Sequence, residues 1–471
     1  MPKLPADKTE LFERTPIPRA LMQMAVPTII SQIVNLVYNM VDAFFIGRTG
    51  NAYMMAATSL TLTLVMMNTA LSNLFGIGGG SLIARLMGAH KEEEAKQVSA
   101  FAFYGACALA LAYALVIAVF LDPILRFLGA SSATLPYARQ YTLLVIVAGG
   151  VPSILGMTLA HMLRNAGFSG QASLGLSGGG VLNMALDPLF MFVLFPRGSE
   201  VLGAAAATLL SNALSCLYLL WAFHRASGPL SMRPRDLRRI SRANAGRLFT
   251  VGIPAALLTG LFDVANISVN MLSAAHDDLV LAGMGIVMKV ERIPNAVNVG
   301  ICQGMMPIVA YNFASGNRSR MREAIRTARL VGYGVSFASI LLFELLAEPL
   351  TGLFMNTSAP DASAALQTLA HAAFFLRIRC IASPLQMTNY HSSYCMQAMG
   401  AGKSTLIHAV VRELVFYIPF QFILDRLFGI TGLAFSLIAG EGLGALFALW
   451  LLGRTLRRAE GAQLAGGGAG A

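Results

Sequence analysis

Two polar side chains four residues apart lie inside a long apolar stretch of the chain. Asn183 and Asp187 belong to the run from Ser173 to Phe195, which contains no lysine or arginine. Residues four apart share one face of a helix. A carboxylate at the middle of a membrane helix costs about 2.5–3.5 kcal/mol on insertion scales, so such an acid marks a candidate functional site. Pro188 lacks a backbone donor and leaves a carbonyl free, which is typical of a helix lining a polar cavity.

The composition indicates that this run spans a membrane. The chain has 471 residues, of which 56% are hydrophobic and 12% charged, and its mean hydropathy is +0.64. Soluble domains carry about 25% charged residues. The five cysteines and seven histidines show no metal-ligand spacing, so we interpret the cysteines as packing residues. We expect no organic cofactor, and no metal other than Na⁺ at Asp42 and Asp187.

Twelve apolar segments are long enough to cross a hydrocarbon core of about 30 Å. The first six end near residue 224 and the second six begin near residue 248. We therefore predict an all-α polytopic membrane protein with two six-helix bundles, at 1–224 and 248–471, joined by a basic linker at 225–247. No cleavable signal peptide is expected, because the first apolar run is too long.

The net charge of +11 reflects membrane topology. With the N-terminus inside, lysine and arginine concentrate on the cytoplasmic side, as the positive-inside rule requires. The inside set comprises Lys3, Lys8, Arg14, Arg19, Arg85, Lys91, Lys96, Arg164, Lys403, Arg454, Arg457, Arg458, a central cluster from Arg225 to Arg247 and a run from Arg318 to Arg329; the outside set is only Arg48, Arg126, Arg139, Arg197 and Arg426. Both termini are predicted to be cytoplasmic, and binding of nucleic acid is not expected.

The two halves look like copies of one another. The stretch from Gly76 to Gly88 matches that from Gly304 to Gly316, and each is followed by a charged loop. Further matches pair Pro27 with Pro254 and Pro152 with Pro384, all at offsets of about 227–233 residues. Since an even number of spans separates the copies, a pseudo-twofold axis along the membrane normal relates them. This arrangement predicts two bundles with a cleft between them.

Polar stripes on the first helix of each half are candidates for the lining of this cleft. Their members recur every three or four residues, which is one helix face. The alternative is hydrogen bonding between helices. The candidate residues are Gln32, Asn35 and Asn39 in the first half, and Asp263, Asn266 and Asn270 in the second.

The acids differ between the halves. Asp42 and Asp187 are the mid-membrane charges of the first half, and no intramembrane base accompanies them. Such acids can take up a proton, or bind Na⁺ together with amide and hydroxyl oxygens. For Asp42 the alternative is a hydrated acid at the outer end of its helix.

The second half carries a near-balanced set of acids and bases, which predicts ion pairing between helices. Whether this network is structural, forms a gate or contacts substrate stays open at this point. Its members are Asp263, Lys289, Glu291, Arg292, Arg377, Arg379, Arg412, Glu413 and Glu441.

In this order and on this frame, several stretches resemble the multidrug and toxic compound extrusion (MATE) family, in its MepA-like branch. They are Val41-Asp42-Ala43-Phe44-Phe45-Ile46-Gly47-Arg48, Arg164-Asn165-Ala166-Gly167, Leu182-Asn183-Met184-Ala185-Leu186-Asp187-Pro188, Gln303-Gly304-Met305-Met306-Pro307-Ile308-Val309-Ala310-Tyr311-Asn312 and Arg412-Glu413-Leu414-Val415-Phe416-Tyr417-Ile418-Pro419.

The resemblance implies an exporter of amphipathic, often cationic compounds that is coupled to H⁺ or Na⁺ and alternates between outward- and inward-open states. It also implies that Asp42, Asn183, Asp187 and a hydroxyl of the sixth helix, for which Thr208 is the candidate, form the cation site. We expect a monomer in a bacterial inner membrane.

Rival functions fit the sequence less well. A lipid-linked oligosaccharide flippase of the same superfamily would need a more cationic cleft, and the arginines of the second half keep that alternative open. A major-facilitator transporter would carry Asp-Arg-x-Gly-Arg after its second helix, where this chain has Arg85-Leu86-Met87-Gly88-Ala89. A membrane enzyme would need a clustered nucleophile or His/Asp set. The run Gly400–Ser404 resembles the end of a P-loop, but Gln397 occupies the position of its first glycine.

Overall fold

A computed structural model describes residues 9–226, 228–354 and 362–467 of the chain. Within these ranges the elements are helices, and none is a β-strand. Lys3 and Lys8 of the predicted inside set lie outside the described residues. We number the twelve long helical rods α1 to α12 in chain order, and leave three short helices unnumbered.

The first half contains α1 to α6. Their bounds are α1 Ile17–Gly47, α2 Ala52–Gly88, α3 Glu92–Val119, α4 in the pieces Leu135–Thr142, Leu143–Ala148 and Gly150–Asn165, α5 Ser169–Leu189 continued by Phe190–Leu194, and α6 Glu200–Arg225. A five-residue helix, Thr9–Glu13, precedes α1. The other short helices are Leu121–Phe127 and Pro234–Leu237.

The second half contains α7 to α12. Their bounds are α7 Arg242–His276, α8 Asp278–Ala314, α9 Arg318–Gly352, α10 in the pieces Ala362–Arg379, Cys380–Ala382 and Ser383–Ala398, and α11 in the pieces Gly402–Val410 and Val411–Tyr417. A final helical run, Ile418–Gly467, is reversed at Gly429, whose φ of 59° is in the left-handed region that glycine tolerates. The part before Gly429 completes α11, and the part after it is α12.

Three rods contain wider π turns, at Leu143–Ala148 in α4, Phe190–Leu194 in α5 and Val411–Tyr417 in α11. Such turns are rare and concentrate at functional sites. The π turn of α5 begins just after Pro188, which removes one backbone donor from the ladder. A bend of 45° separates the two halves of α4.

Among the described residues, eight helical stretches are individually long and apolar enough to cross a membrane, and the bent α4 makes a ninth. One of the eight, Gly402–Arg458, contains both α11 and α12. The charged α8 and the broken α10 complete the twelve rods. The predicted all-α architecture with two six-helix lobes is confirmed.

Buried apolar residues form separate cores in the two lobes and one core between them. The core of the second lobe includes Phe375 and Leu433. The first lobe has two separate cores, one around Leu163 and the other around Leu125. The shared core includes Ile77 from α2 and Ile301 from α8. The lobes therefore pack directly on each other at one place.

This contact between lobes, which we call the seam, joins α2 to α7 and α8 to α1. Glycines allow backbones to touch there: Gly78 of α2 lies against Gly252 of α7, and a Cβ at Gly78 would meet the Gly252 Cα at 2.9 Å. A Cβ at Gly304 of α8 would meet the Ala25 Cα of α1 at 2.6 Å. Gly76–Gly88 and Gly304–Gly316, the two repeated stretches, thus lie in equivalent parts of the seam, on the half of the molecule nearer the chain termini.

Candidate functional site

Three polar side chains of α5 and α6 meet in the first lobe. The Asn183 amide nitrogen donates to Asp187 Oδ1 at 3.2 Å and to Thr208 Oγ1 at 3.4 Å. Asp187 is fully buried, and Asn183 and Thr208 are 2% and 6% exposed. The spacing of four along α5 aligns the first two, and α6 supplies the third.

Small residues bring the neighbouring helices close enough for these contacts. A Cβ at Gly179 of α5 would lie 2.8 Å from the Ser215 Cβ of α6, and the Ser215 hydroxyl donates to the Gly175 carbonyl at 2.8 Å. On another face of α5, a Cβ at Gly180 would meet Val34 of α1 at 3.1 Å. The glycines of α5 therefore set the distances to both α1 and α6.

The contact with α1 brings Asp42 into the same cluster. The Asp42 carboxyl is close enough to Asp187 for their charges to interact. Tyr38 of α1 and Tyr141 of α4 both lie within electrostatic reach of the two carboxyls. We call these six residues, Tyr38, Asp42, Tyr141, Asn183, Asp187 and Thr208, the acidic cluster.

Two members of the acidic cluster were not predicted from the sequence. Tyr38 precedes Asp42 by four residues, so the helix period that aligned the polar stripe of α1 also placed Tyr38 on the face of Asp42. Tyr141 carried no such signal, because α4 approaches only through tertiary packing. One contact in this packing is the pair of hydroxyls of Thr61 on α2 and Thr142 on α4, which are 2.9 Å apart.

The acidic cluster offers oxygen atoms that have no partner. Asp42 Oδ1, Asn183 Oδ1 and Asp187 Oδ2 are buried and accept no hydrogen bond. None of the ion pairs formed by the described residues includes Asp42 or Asp187. Buried polar atoms are normally satisfied. Oxygen ligands suit a hard cation, and an unpaired buried carboxylate also suits a proton, so the geometry fits either ion.

The predicted cleft residues are on exposed or half-buried faces of α1 and α7. Asn39 donates to the Asn35 carbonyl at 2.6 Å; both side chains are exposed, and Gln32 is half-buried. On α7, Asp263 and Asn266 are half-buried and Asn270 is exposed. Asp263 is close enough to Arg292 of α8 for their charges to interact.

The predicted charge network of the second lobe divides into two buried groups. Glu291 pairs with Arg379 at 3.0 Å, and both hydrogen bonds of the pair are 3.0 Å long. Arg412 pairs with Glu441 at 2.6 Å and lies 3.5 Å from Glu413.

Lys289 and Arg292 are exposed and enter no ion pair among the described residues. Asp263 likewise forms no ion pair among these residues, and Arg377 pairs with the exposed Glu348 at 3.3 Å. The two buried groups therefore contain five of the nine predicted members: Glu291, Arg379, Arg412, Glu413 and Glu441.

A second polar group crosses the seam. Arg164 of α4, which the sequence assigned to an inside loop, is 2% exposed and donates to Gln303 Oε1 of α8 at 3.0 Å. The Gln303 amide then donates to the Tyr394 hydroxyl of α10 at 3.3 Å. The Ser81 hydroxyl of α2 donates to the Gln397 carbonyl at 2.6 Å. Because these bonds join the lobes, they stabilise the state in which the seam is closed.

Comparisons with known proteins cover most of the chain. The MatE family model matches residues 27–189 and 254–423. The multidrug export protein MepA of Staphylococcus aureus (strain MRSA252) is 31% identical over 442 residues, and MepA of Staphylococcus haemolyticus (strain JCSC1435) is 31% identical over 441 residues. Each alignment covers 94% of this chain and 94% of the relative.

Solved structures share the fold. A MATE structure in complex with MaL6 superposes with a TM-score of 0.90 at 22% identity, covering 97% of this chain and 100% of that one. An outward-facing multidrug resistance MATE transporter of the MOP superfamily gives 0.89 at 21% identity with the same coverage. The family model covers well over half of the chain and the relatives nearly all of it, so this protein belongs to the MATE family of multi-pass membrane transporters, in its MepA-like branch.

Proposed function

We propose that the protein exports amphipathic, cationic compounds in exchange for H⁺ or Na⁺, with the acidic cluster as the coupling site. The observation that carries this proposal is the set of unpartnered buried oxygens around Asp187. The MepA relatives, which are named as multidrug export proteins, support drug efflux over the flippase alternative.

Coupling follows if ion and drug favour opposite states. A ligand shifts a conformational equilibrium only by its difference in affinity for the two states. Binding of H⁺ or Na⁺ at Asp42 and Asp187 neutralises the acids, which disfavours a cationic drug in the cleft. Release of the ion restores the negative charge and favours drug binding.

The proposed orientation places both termini, and therefore the seam, on the cytoplasmic side of a bacterial inner membrane. The seam is closed in this structure, as expected for an outward-facing state. The asymmetry of lysine and arginine supports this orientation. In this proposal α1 and α7, one from each lobe of a single chain, line the cleft, which favours transport by a monomer.

The first test uses the full chain reconstituted in liposomes. Efflux of a fluorescent cationic dye is followed under an imposed pH gradient and, separately, under an imposed Na⁺ gradient. Asp187→Asn keeps the side-chain shape and removes the charge. The matched control is Asp122→Asn, because Asp122 is on the short helix Leu121–Phe127 with its side chain 44% exposed, and its oxygen is 3.8 Å from Arg139.

We expect one gradient to drive efflux, Asp187→Asn to abolish it, and Asp122→Asn to retain it. The gradient that succeeds identifies the ion. If a folded Asp187→Asn protein pumps dye as the parent does, the acidic cluster is not the coupling site. If neither gradient moves dye, the flippase alternative gains support.

A further inference from the structure

We propose that the second lobe contains a proton-binding site at Glu413, separate from the acidic cluster. Glu413 is on the π turn Val411–Tyr417 of α11 and is fully buried. Neither of its carboxyl oxygens has a hydrogen-bond partner. Its closest charged group is Arg412, at 3.5 Å.

Most donors near Glu413 are bonded to another acid. The exception is Arg412 Nη1, which lies 3.5 Å from Glu413 Oε1 and forms no hydrogen bond with it. The Arg412 Nε and Nη2 atoms donate to Glu441 at 3.0 and 2.6 Å. The Asn389 amide nitrogen also donates to Glu441, at 2.6 Å. Glu441 thus receives three hydrogen bonds, two of them from a guanidinium, which is the arrangement that stabilises an ionised carboxylate.

His408 fixes this arrangement and does not supply a second charge. Its Nε2 atom is 3.0 Å from Asn389 Oδ1, and its Nδ1 atom is 2.8 Å from the Ser393 hydroxyl. Since an amide oxygen only accepts, Nε2 carries the hydrogen. His408 is fully buried and no acid of the described chain accepts from it, which disfavours a second proton, so Nδ1 accepts from the Ser393 hydroxyl. The imidazole is therefore neutral, and it holds the Asn389 amide in the orientation that donates to Glu441.

The elements packed on the π turn supply no further counter-charge among the described residues. Tyr390 of α10 lies under the Arg412 guanidinium at 5.0 Å. Tyr417, at the other end of the turn, interacts with the Arg379–Glu291 pair, which is already neutral. The mid-helix charge of α7 is Asp263, another acid. One arginine thus faces two glutamates, and an ionised Glu413 would leave one buried negative charge uncompensated.

A proton removes this imbalance more readily than a metal cation. Burying an isolated ionised carboxylate is so unfavourable that the group takes up a proton instead. A Na⁺ ion at Glu413 would lie beside the Arg412 guanidinium and be repelled by it. At the repeat offset of about 229 residues, Arg412 corresponds to Asn183 of the acidic cluster and Glu413 to the adjacent Met184, so the two sites lie at the same level of the repeated frame.

The test reads protonated carboxyl groups directly. Infrared difference spectra of the full chain in lipid, recorded between acidic and alkaline pH, report each acid that takes up a proton through its C=O stretching band. We expect Glu413→Gln to remove one band and Asp187→Asn to remove a different one. Glu348→Gln is the matched control, because the Glu348 side chain is 75% exposed in an ion pair with Arg377.

If the Glu413→Gln protein does not fold, Glu413→Asp keeps the carboxyl, and the same band should change its frequency. Unchanged bands in a folded Glu413→Gln protein, or an unshifted band in Glu413→Asp, overturn the assignment. The measurement requires no transport, so its failure would leave the proposed antiport untouched. Only the use of this proton in transport rests on the proposed function. If the proton is used in transport, the Glu413→Gln protein should release fewer protons on dye binding than the parent protein.

Discussion

Replacing Gly252 by alanine should open the seam between the lobes. A Cβ at Gly252 would overlap the Leu74 carbonyl of α2. The obstructing atoms belong to the backbone, so no side-chain rotation relieves the overlap, and the helices must separate. Overpacking of this kind costs about 1–3 kcal/mol.

The cost applies only where the seam is closed. If α7 is helical in both states of the transporter, the helix propensity that alanine adds cancels between them. A bias of about 1–3 kcal/mol corresponds to about a 5- to 150-fold shift toward the seam-open state. Gly246→Ala is the matched control, because Gly246 is on the same helix and a Cβ there would meet nothing within 4 Å.

Spin labels on either side of the seam measure this shift. In a chain whose five cysteines are replaced by alanine, Glu92→Cys and Ser315→Cys place labels on exposed positions at the terminus-bearing ends of the two lobes. Electron–electron double resonance should show a larger long-distance population for Gly252→Ala than for Gly246→Ala. Indistinguishable distance distributions for the two alanine variants would refute the steric argument.

Two further predictions concern the terminus-bearing face. Arg320 of α9 donates from Nε to the Phe12 carbonyl at 2.7 Å and also donates to the Thr15 carbonyl. Arg320→Ala should therefore loosen the helix Thr9–Glu13 and speed tryptic cleavage after the exposed Arg14. Equal cleavage rates in Arg320→Ala and in the control Arg326→Ala, at an exposed arginine of the same helix, would contradict this. Glu94 at the start of α3 accepts from Lys91 and Asn244 at 2.8 Å each, and these bonds lower its pKa. A carboxyl whose pKa is lower in the folded than in the unfolded protein stabilises the fold at pH above its unfolded-state pKa, and this contribution is lost as the pH falls through its folded-state pKa. The difference in melting temperature between parent and Glu94→Gln should therefore be present at neutral pH and shrink on acidification. A difference that does not depend on pH would exclude this linkage.

The number of helices could be predicted because hydropathy and length decide which segments cross a bilayer. Their ends were predicted less well. α7 begins at Arg242, whereas the apolar run begins near residue 248. The additional turns project beyond the apolar region, where Ser241 caps the helix by accepting from the Asn244 backbone at 3.1 Å. Hydropathy detects the spanning part of a helix and is insensitive to such a polar extension.

The acidic cluster could be predicted where its members share a helix. Asn183 and Asp187 followed from a spacing of four along α5. Tyr141 and Arg164 could not be found in this way, because their partners come from other helices. The Arg164–Gln303 bond joins positions 139 residues apart, and a single sequence carries no local signal of such a contact. For this reason Arg164, whose buried side chain joins the lobes, was predicted to be one more positive charge of a cytoplasmic loop.

The two lobes have the same helical frame and differ in whether a fixed positive charge lies beside the acids at its centre. In the first lobe, Asp42 and Asp187 have no fixed counter-ion among the described residues, so a mobile cation can neutralise them. In the second lobe, Arg412 supplies a permanent charge to Glu441, and that acid cannot exchange its partner. Glu413 is the acid that receives no hydrogen bond in this arrangement. A guanidinium neutralises only one carboxylate. Because Arg412 neutralises Glu441, Glu413 is left as a carboxyl group that can take up a proton.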